Sequence, residues 1–534
     1  MTVNQRQYGM FYGIAVAIVS GLFYGLSFPP FNISFLIFPS LFFFYQTLLK
    51  ERSPFMFGFI FGTTSYGIVL YGIKSIGYEA WIPLTIFMGL MYGIFGRLFQ
   101  YISQKMNNNI FILISLISVF DLLRAHFPFG GFPWGYPSTV LINDITINFF
   151  RQFGPIGFSL IIQSIVLLAV LIATDRRTRE RESIFNRKYY LIFLLIIGIP
   201  FFWTTNNEDS DFQETPNRQI EVSIVQGNSP CPGAKNRCIN EREKIYLSHL
   251  NLTTSINSKP LLLQDVSSRL IVWPESSTGF KNDPLINSET LNDISIEAER
   301  LGAYFLIGGD RPIDLDYFEN YGVLVNADGN IEGQYLKQHP VPFGEYIPFR
   351  KYLEWIPPLA LVPRDMNRGE AQEVFTIRGD LNSEGVKVSP VISFEGSFER
   401  YIRRSVQGGT ELIFILTNQA SYGESGMSDQ FILMSRANAI SNYRDVVHAA
   451  ITGKSAFISG INGEVYSSTE LFTADTSTEV LNAYSYKTIY SIWGNYLNYV
   501  MISLGLVYFL RFGSNKKFNH NNVANHIFSN KRAI

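Results

Sequence analysis

The sequence predicts a two-part fold: a membrane α-helical bundle of about eight spans, joined to an α/β domain outside the membrane. Three observations predict it. Hydrophobic residues make up 47% of the 534 positions and charged residues only 16%, with 46 Phe and 29 Tyr, the balance of a chain that lies partly in lipid. Apolar runs of spanning length crowd the first 206 residues and recur once at 492–510. Between about 207 and 490 the apolar runs shorten and alternate with polar helical stretches, the rhythm of sheets covered by helices. A formal net charge of −1 provides no broad positive field for nucleic acid.

The bundle comes first. Its apolar runs lie at roughly 10–27, 33–49, 54–73, 81–100, 109–124, 155–174 and 189–206, each about long enough to cross hydrocarbon as a helix. The fourth and fifth are the most polar, with Arg97, Asp121 and Arg124 near their ends. Arg6 precedes the first run, but "SFPPF" follows it where a removed signal would show small residues, so an anchor kept in the mature chain is expected. "KER" at 50–52, Lys105 and "DRRTRERESIFNRK" at 175–188 occupy alternate loops, and the basic tail after the last run falls on the same side. An excess of Lys and Arg marks the cytoplasmic face. The expected organisation is therefore a seven-span bundle over 1–206, an extracytoplasmic domain over 207–490, a last span over 491–512 and a cytoplasmic tail over 513–534. One outer loop, "RAHFPFGGFPWGYPS" at 124–138, is rich in Gly, Pro and aromatics. It reads either as an interfacial aromatic belt or as a rim that admits a lipid tail.

In the α/β domain, strands are expected at 220–228, 269–275, 303–310, 322–329, 331–337, 388–395, 411–418 and 447–453. "NADGN" at 326–330 supplies a hairpin turn. Helices are expected at about 238–256, 288–301, 396–406 and 427–442. Some 280 residues are enough for a core of its own. Cys231 and Cys238 are too few for a zinc site; outside the cytoplasm they read as a disulfide closing a small loop, or as two unpaired thiols. No metal cluster, phosphate loop or dinucleotide motif is present in the sequence, so neither metal nor cofactor is expected.

Three chemically able side chains fall at strand ends: Glu275 closes "IVWPE", Lys337 closes "GQYLK" and Ser393 closes "SPVIS". Such groups are expensive to bury unless they pair. Brought together they form a proton-relay set, with Glu as general base, Lys as cation for a developing oxyanion and Ser as nucleophile. Left apart they are ordinary strand-end polar residues, and spacing does not decide between the two. His339 reads as a loop histidine and Lys454 as a surface residue.

Several segments carry a resemblance to a known family. "VWPESS" (272–277), "YLKQHPVPFGEYIPFR" (335–350), "LSFPPF" (26–31) and "GFPWGYP" (131–137) resemble segments of the bacterial apolipoprotein N-acyltransferases, membrane-anchored members of the nitrilase superfamily. The resemblance covers nearly the whole chain. It implies a nitrilase-like αββα sandwich for the α/β domain, Glu275 as general base, Lys337 as catalytic lysine, Ser393 in the nucleophile's position, and supporting roles for Glu345 and Glu395. It also implies a phospholipid acyl donor, a diacylglyceryl-modified apolipoprotein as acceptor, and a place in the bacterial cytoplasmic membrane with the catalytic domain on the periplasmic side.

This chain departs from the family at two points. The family is expected to carry Cys-Tyr-Glu at the elbow, and here Ser393-Phe394-Glu395 stands in its place. After the next strand "TNQASYGESG" (417–426) keeps Asn418, but Gln419 and Tyr422 replace an acid and an aromatic pair. The expected activity is N-acyl transfer through an acyl-enzyme. The alternatives are a catalytically silent relative that binds lipoprotein or lipid, and an enzyme for another acyl or amide group.

Overall fold

The computed structural model describes residues 3–50, 52–178, 198, 218–229, 241–258, 266–379 and 384–513. The run at 189–206 (apart from Gly198), the basic stretch beyond Thr178, Cys231, Cys238 and the tail after Gly513 lie outside the described residues.

Among the described residues, six helices build the N-terminal part: α1 Val3–Leu26, α2 Ile37–Lys50, α3 Pro54–Val69, α4 Tyr78–Lys105, α5 Ile110–His126 and α6 Ile147–Thr178. By length and composition Tyr78–Lys105 and Ile147–Thr174 can each cross a membrane. Met10–Leu26, Ser34–Lys50, Pro54–Val69 and Tyr496–Arg511 are shorter apolar helices. Eight spans are thus more than helix length alone supports among the described residues. The run at 54–73 shows why: its helix stops at Val69, and Tyr71–Ser75 tightens into a 3₁₀ turn. The helices pack through small residues, as membrane helices do. A Cβ on Gly58 of α3 would lie 2.2 Å from the Tyr92 carbonyl oxygen of α4, so the two backbones touch. α6 kinks at Gly154-Pro155, where Gly154 sits at φ 66°.

The α/β part is two sheets packed face to face. The first runs β13-β1-β2-β3-β4-β5, with a short β6 (Asp365–Met366) beside β4. Its strands are β1 Gln219–Gln226, β2 Val266–Gly279, β3 Tyr304–Pro312, β4 Tyr317–Val325, β5 Ile331–Leu336 and β13 Asp475–Asn482. The second runs β12-β11-β10-β9-β8-β7, from β7 Phe375–Ile377, β8 Val386–Ile392, β9 Leu412–Thr417, β10 Asp445–Ala450, β11 Ala456–Ile458 and β12 Val465–Ser468. Val222, Val272 and Leu306 of the first sheet meet Val388, Phe414 and Val447 of the second in one buried core. α7 Glu241–Ser255 and α8 Ser288–Leu301 flank the first sheet, where Tyr246, Ile294 and Ala298 pack on Trp273 and Phe305. α9 Glu399–Gln407 and α10 Met427–Asn442 cover the second. Their apolar side chains share one continuous core with the N-terminal helices, reaching from Ile413 and Ile415 through Phe398 and Phe431 to Trp134, Tyr66 and Phe44. The last helix, α11 Tyr496–Tyr508, returns beside α5 and α6.

The expected strands and helices of this part are found near their places among the described residues. The strand expected over 322–329, however, runs Tyr317–Val325 and gives way to the turn that follows, the helix expected from 238 is described only from Glu241, and the elbow changes. The strand expected over 388–395 ends at Ile392, and Ser393–Ser397 turns as a 3₁₀ helix. β7 and β11–β13 were not anticipated, being short or polar.

Candidate active site

Glu275 leaves its strand at an irregularity. Pro274 has no N–H for the ladder, and the register of β2 on β3 shifts between Trp273 and Thr278. Ser276 adopts φ 60°, an uncommon conformation for a non-glycine residue. The bulge requires Gly308 on β3, since a Cβ there would lie 2.5 Å from the Pro274 carbonyl oxygen. Gly308→Ala is therefore expected to destabilise the domain by about 1–3 kcal/mol, read as a lower thermal midpoint in detergent.

The carboxylate of Glu275 is buried and accepts from Asn320 Nδ2 at 2.6 Å, from Lys337 Nζ at 3.3 Å and from the Asn418 backbone N–H at 2.7 Å. Lys337 follows β5 directly, and its N–H donates to the Asn320 carbonyl. Its ammonium is fully buried and also donates to Glu345 Oε1 at 2.6 Å. Glu345 is steadied by the Val341 N–H at 2.8 Å. One cation thus serves two carboxylates. Burial alone would push Lys337 down, but Glu275 and then Glu345 outweigh it and hold the lysine above its ordinary range. Burial raises Glu275, against the opposing pull of Lys337.

Ser393 sits where β8 ends, at φ 54°. Ile392, opposite Leu416, is the last residue of β8 to pair with β9. Just past the end of β9, the Asn418 N–H holds Glu275. Glu395 fixes the turn from within. It accepts the N–H groups of Gln338 at 2.5 Å and His339 at 2.9 Å on one oxygen, and the Ile392 N–H and the Tyr335 hydroxyl, both at 2.8 Å, on the other. The residues that follow Lys337 are therefore clamped to the turn that starts at Ser393. Of the residues singled out in the sequence, Glu275, Lys337 and Glu345 form one hydrogen-bonded set. Glu395 ties the Ser393 turn to it.

Residues 221–489 match the carbon-nitrogen hydrolase family model, and residues 20–171 match the model of the apolipoprotein N-acyltransferase N-terminal domain. The chain belongs to the carbon-nitrogen hydrolase family, in its apolipoprotein N-acyltransferase branch. It is 26% identical over 469 residues to the apolipoprotein N-acyltransferase of Aquifex aeolicus, covering 84% of this chain and 94% of that one. Its likeness to the Geobacter metallireducens apolipoprotein N-acyltransferase is 25% identity, covering 86% and 87% respectively. Among solved structures, Nit3 of Saccharomyces cerevisiae, of the nitrilase superfamily, matches with 13% identity and a TM-score of 0.34, over 50% of this chain and 90% of that one.

Within this N-acyltransferase frame other residues find their places. Asn320, unnoticed in the sequence, supports Glu275; the one clue was a polar residue inside a buried strand. Tyr422 packs against Phe431. Burial, then the charge of Glu275, pushes its hydroxyl up to about 12, which places it in the field of the Glu-Lys set. His339 is a buried wall residue: it packs on Phe398 with ring centroids 4.4 Å apart, meets the Tyr401 hydroxyl, and is pushed down to about 3 by burial and then by Arg400. Lys454 is half-buried and paired with Asp429 at 2.6 Å. In the loop 124–138 Trp134 and Tyr136 are buried, whereas Phe127 and Phe129 are exposed. Trp134 stacks on Phe394, the residue after Ser393, and Phe132 meets it at a tilt. Arg400 holds the loop from the catalytic half, donating to the carbonyls of Ala125 and Gly130.

Proposed function

We propose that this N-acyltransferase moves an acyl chain from a phospholipid to the N-terminal α-amine of a diacylglyceryl-cysteine lipoprotein, with Ser393 as nucleophile. The observation that carries this reading is the buried Lys337 between two carboxylates, one residue before the amides that Glu395 clamps to the Ser393 turn. Glu275 takes the Ser393 proton as the hydroxyl oxygen attacks the ester carbonyl of the donor, since a serine needs proton removal in concert with attack. Lys337 faces the negative charge that develops on the carbonyl oxygen. The carbon–oxygen bond to the lysophospholipid breaks, and Glu275 returns the proton to that oxygen. The lipoprotein amine then attacks the Ser393 ester, Glu275 accepts an amine proton, and the serine hydroxyl is restored. Phe132, Trp134 and Phe394 form an apolar surface beside Ser393 that suits a lipid tail.

The same reading sets the membrane arrangement: a seven-span bundle over 1–206, a periplasmic domain over 207–490, a last span over 491–512 and a cytoplasmic tail over 513–534 in the bacterial inner membrane. Basic clusters in alternate loops support it. Purified protein with phospholipid and a diacylated lipopeptide tests the activity. Intact-protein mass spectrometry should show an acyl adduct on Ser393. No transfer, with a cysteine-bearing relative active in the same assay, would overturn the reading.

Two further outcomes follow. Ser393→Cys should raise the transfer rate about tenfold or more, because a thiol with a reference pKa of about 8.5 ionises far more readily than an alcohol. The pH profile should rise along a limb set by Glu275. The base works only when ionised, and burial raises its pKa above the ordinary carboxylate value. Activity should therefore fall, as pH drops, at a pH higher than a solvent-exposed glutamate would dictate. Lys337, held above its ordinary range, should stay charged throughout.

A further inference from the structure

Two motifs of the N-terminal part, "LSFPPF" and "GFPWGYP", meet at one side chain of the catalytic half. Gln430, at the start of α10, is buried. Its amide nitrogen donates to the carbonyls of Pro29 and Val69, both at 2.9 Å, and its oxygen accepts the Trp134 indole N–H at 2.5 Å. A primary amide offers two donors and one carbonyl, and here all are engaged by three different segments of the N-terminal bundle. The Val69 carbonyl ends α3, where a helix leaves its acceptors open. Contact is close nearby: a Cβ on Gly426 would lie 2.6 Å from Pro30 Cδ. Trp134 is held from the bundle side as well. Its carbonyl accepts from Tyr66 at 3.0 Å and Arg124 at 3.4 Å, and the next carbonyl, of Gly135, accepts from Tyr24 at 2.6 Å. The indole stacks against Phe394 and meets Phe431 edge-on.

We propose that Gln430 is a positioning residue for acyl transfer, acting through Trp134 to lock the aromatic floor beside Ser393 to the helices that hold the lipid. The proposal rests on the N-acyltransferase reading. Its physical basis is that the two reacting atoms ride on different parts of the molecule. The donor carbonyl is placed by tails lying among the helices, and Ser393 is placed by β8. Attack requires them about 3–3.5 Å apart, and a misplacement of about 1 Å can cost a hundredfold. A joint made of three directed hydrogen bonds fixes that register where apolar packing alone would allow sliding.

The test uses full-length protein in detergent micelles, as Gln430→Met, Trp134→Phe and the double variant. Hydrogen exchange and acyl transfer are both measured. Gln430→Met should speed exchange across 124–138 about tenfold while leaving the amides of β8 and β9 unchanged. It should lower kcat/KM for the phospholipid donor about tenfold or more, chiefly through kcat. Trp134→Phe removes the same indole bond from the other side and should act alike. The double variant should be no worse than the poorer single one, because the two changes delete one shared interaction. Losses that multiply in the double variant, or exchange in 124–138 that stays at the wild-type rate, overturn the proposal. Should Gln430→Met fail to fold, Trp134→Phe carries the exchange measurement alone. Wild-type protein without any transfer would instead overturn the enzymatic reading, and the two failures are distinct because exchange needs no substrate.

Discussion

Replacing Glu275 by glutamine is expected to lower acyl transfer by about 10²- to 10⁴-fold, the usual worth of a positioned general base. An amide has nearly the shape of the carboxylate but takes no proton. Lys337 keeps Glu345 at 2.6 Å, but the new amide NH2 must face either the Asn418 N–H or the Asn320 and Lys337 donors, so a loss of stability of about 1–3 kcal/mol accompanies the change. Read on folded protein, the loss should fall on kcat, with no acyl adduct on Ser393. Transfer at even a tenth of the wild-type rate would remove Glu275 from the base's role. Glu345→Gln is the internal comparison. It keeps the Lys337–Glu275 contact at 3.3 Å, so a smaller loss is expected.

The largest effect on stability is expected at Glu395. Its two oxygens accept four hydrogen bonds in a buried site, three from backbone N–H groups and one from Tyr335. Glu395→Gln turns one of those oxygens into a donor facing at least one buried N–H. An unsatisfied buried polar group costs about 1–3 kcal/mol, and the new donor-to-donor clash adds to it, so a loss of about 2–4 kcal/mol is expected. Thermal unfolding in detergent would measure it. Activity should fall too, since the clamp joins the Ser393 turn to the residues after Lys337. A variant with wild-type stability would mean that the four bonds are worth far less than their burial implies.

How much of this was readable beforehand depends on what each element answers to. α8 was legible to the residue, because Asn287 caps it and Gly302 stops it in the left-handed conformation. The buried strands β1, β3, β9 and β10 announced themselves as short apolar runs. β12 and β13 did not: their side chains are polar and half-exposed, and they are strands only because β11 and β1 pair with them. Glu275, Lys337 and Glu345 were legible as residues but not as a set, since spacing along a chain says nothing of which strand ends share a rim. Asn320 offered only the clue of a polar residue inside a buried strand, and its partner Glu275 lies on another strand. Gln430 carries no signal of its own in the sequence, because its partners Pro29, Val69 and Trp134 lie far away along the chain. Cys231 and Cys238 fall outside the described residues, so their pairing stays an expectation.

The apolar continuity between the second sheet's covering helices and the N-terminal helices has a practical consequence. Phe398, Tyr401 and Phe431 are buried in the core shared with the N-terminal helices, and Trp134 meets Phe431 edge-on. A fragment cut out at 218–484 would bare that greasy flank to water and should precipitate or cling to micelles. Anyone seeking a soluble version would first have to rebuild the underside.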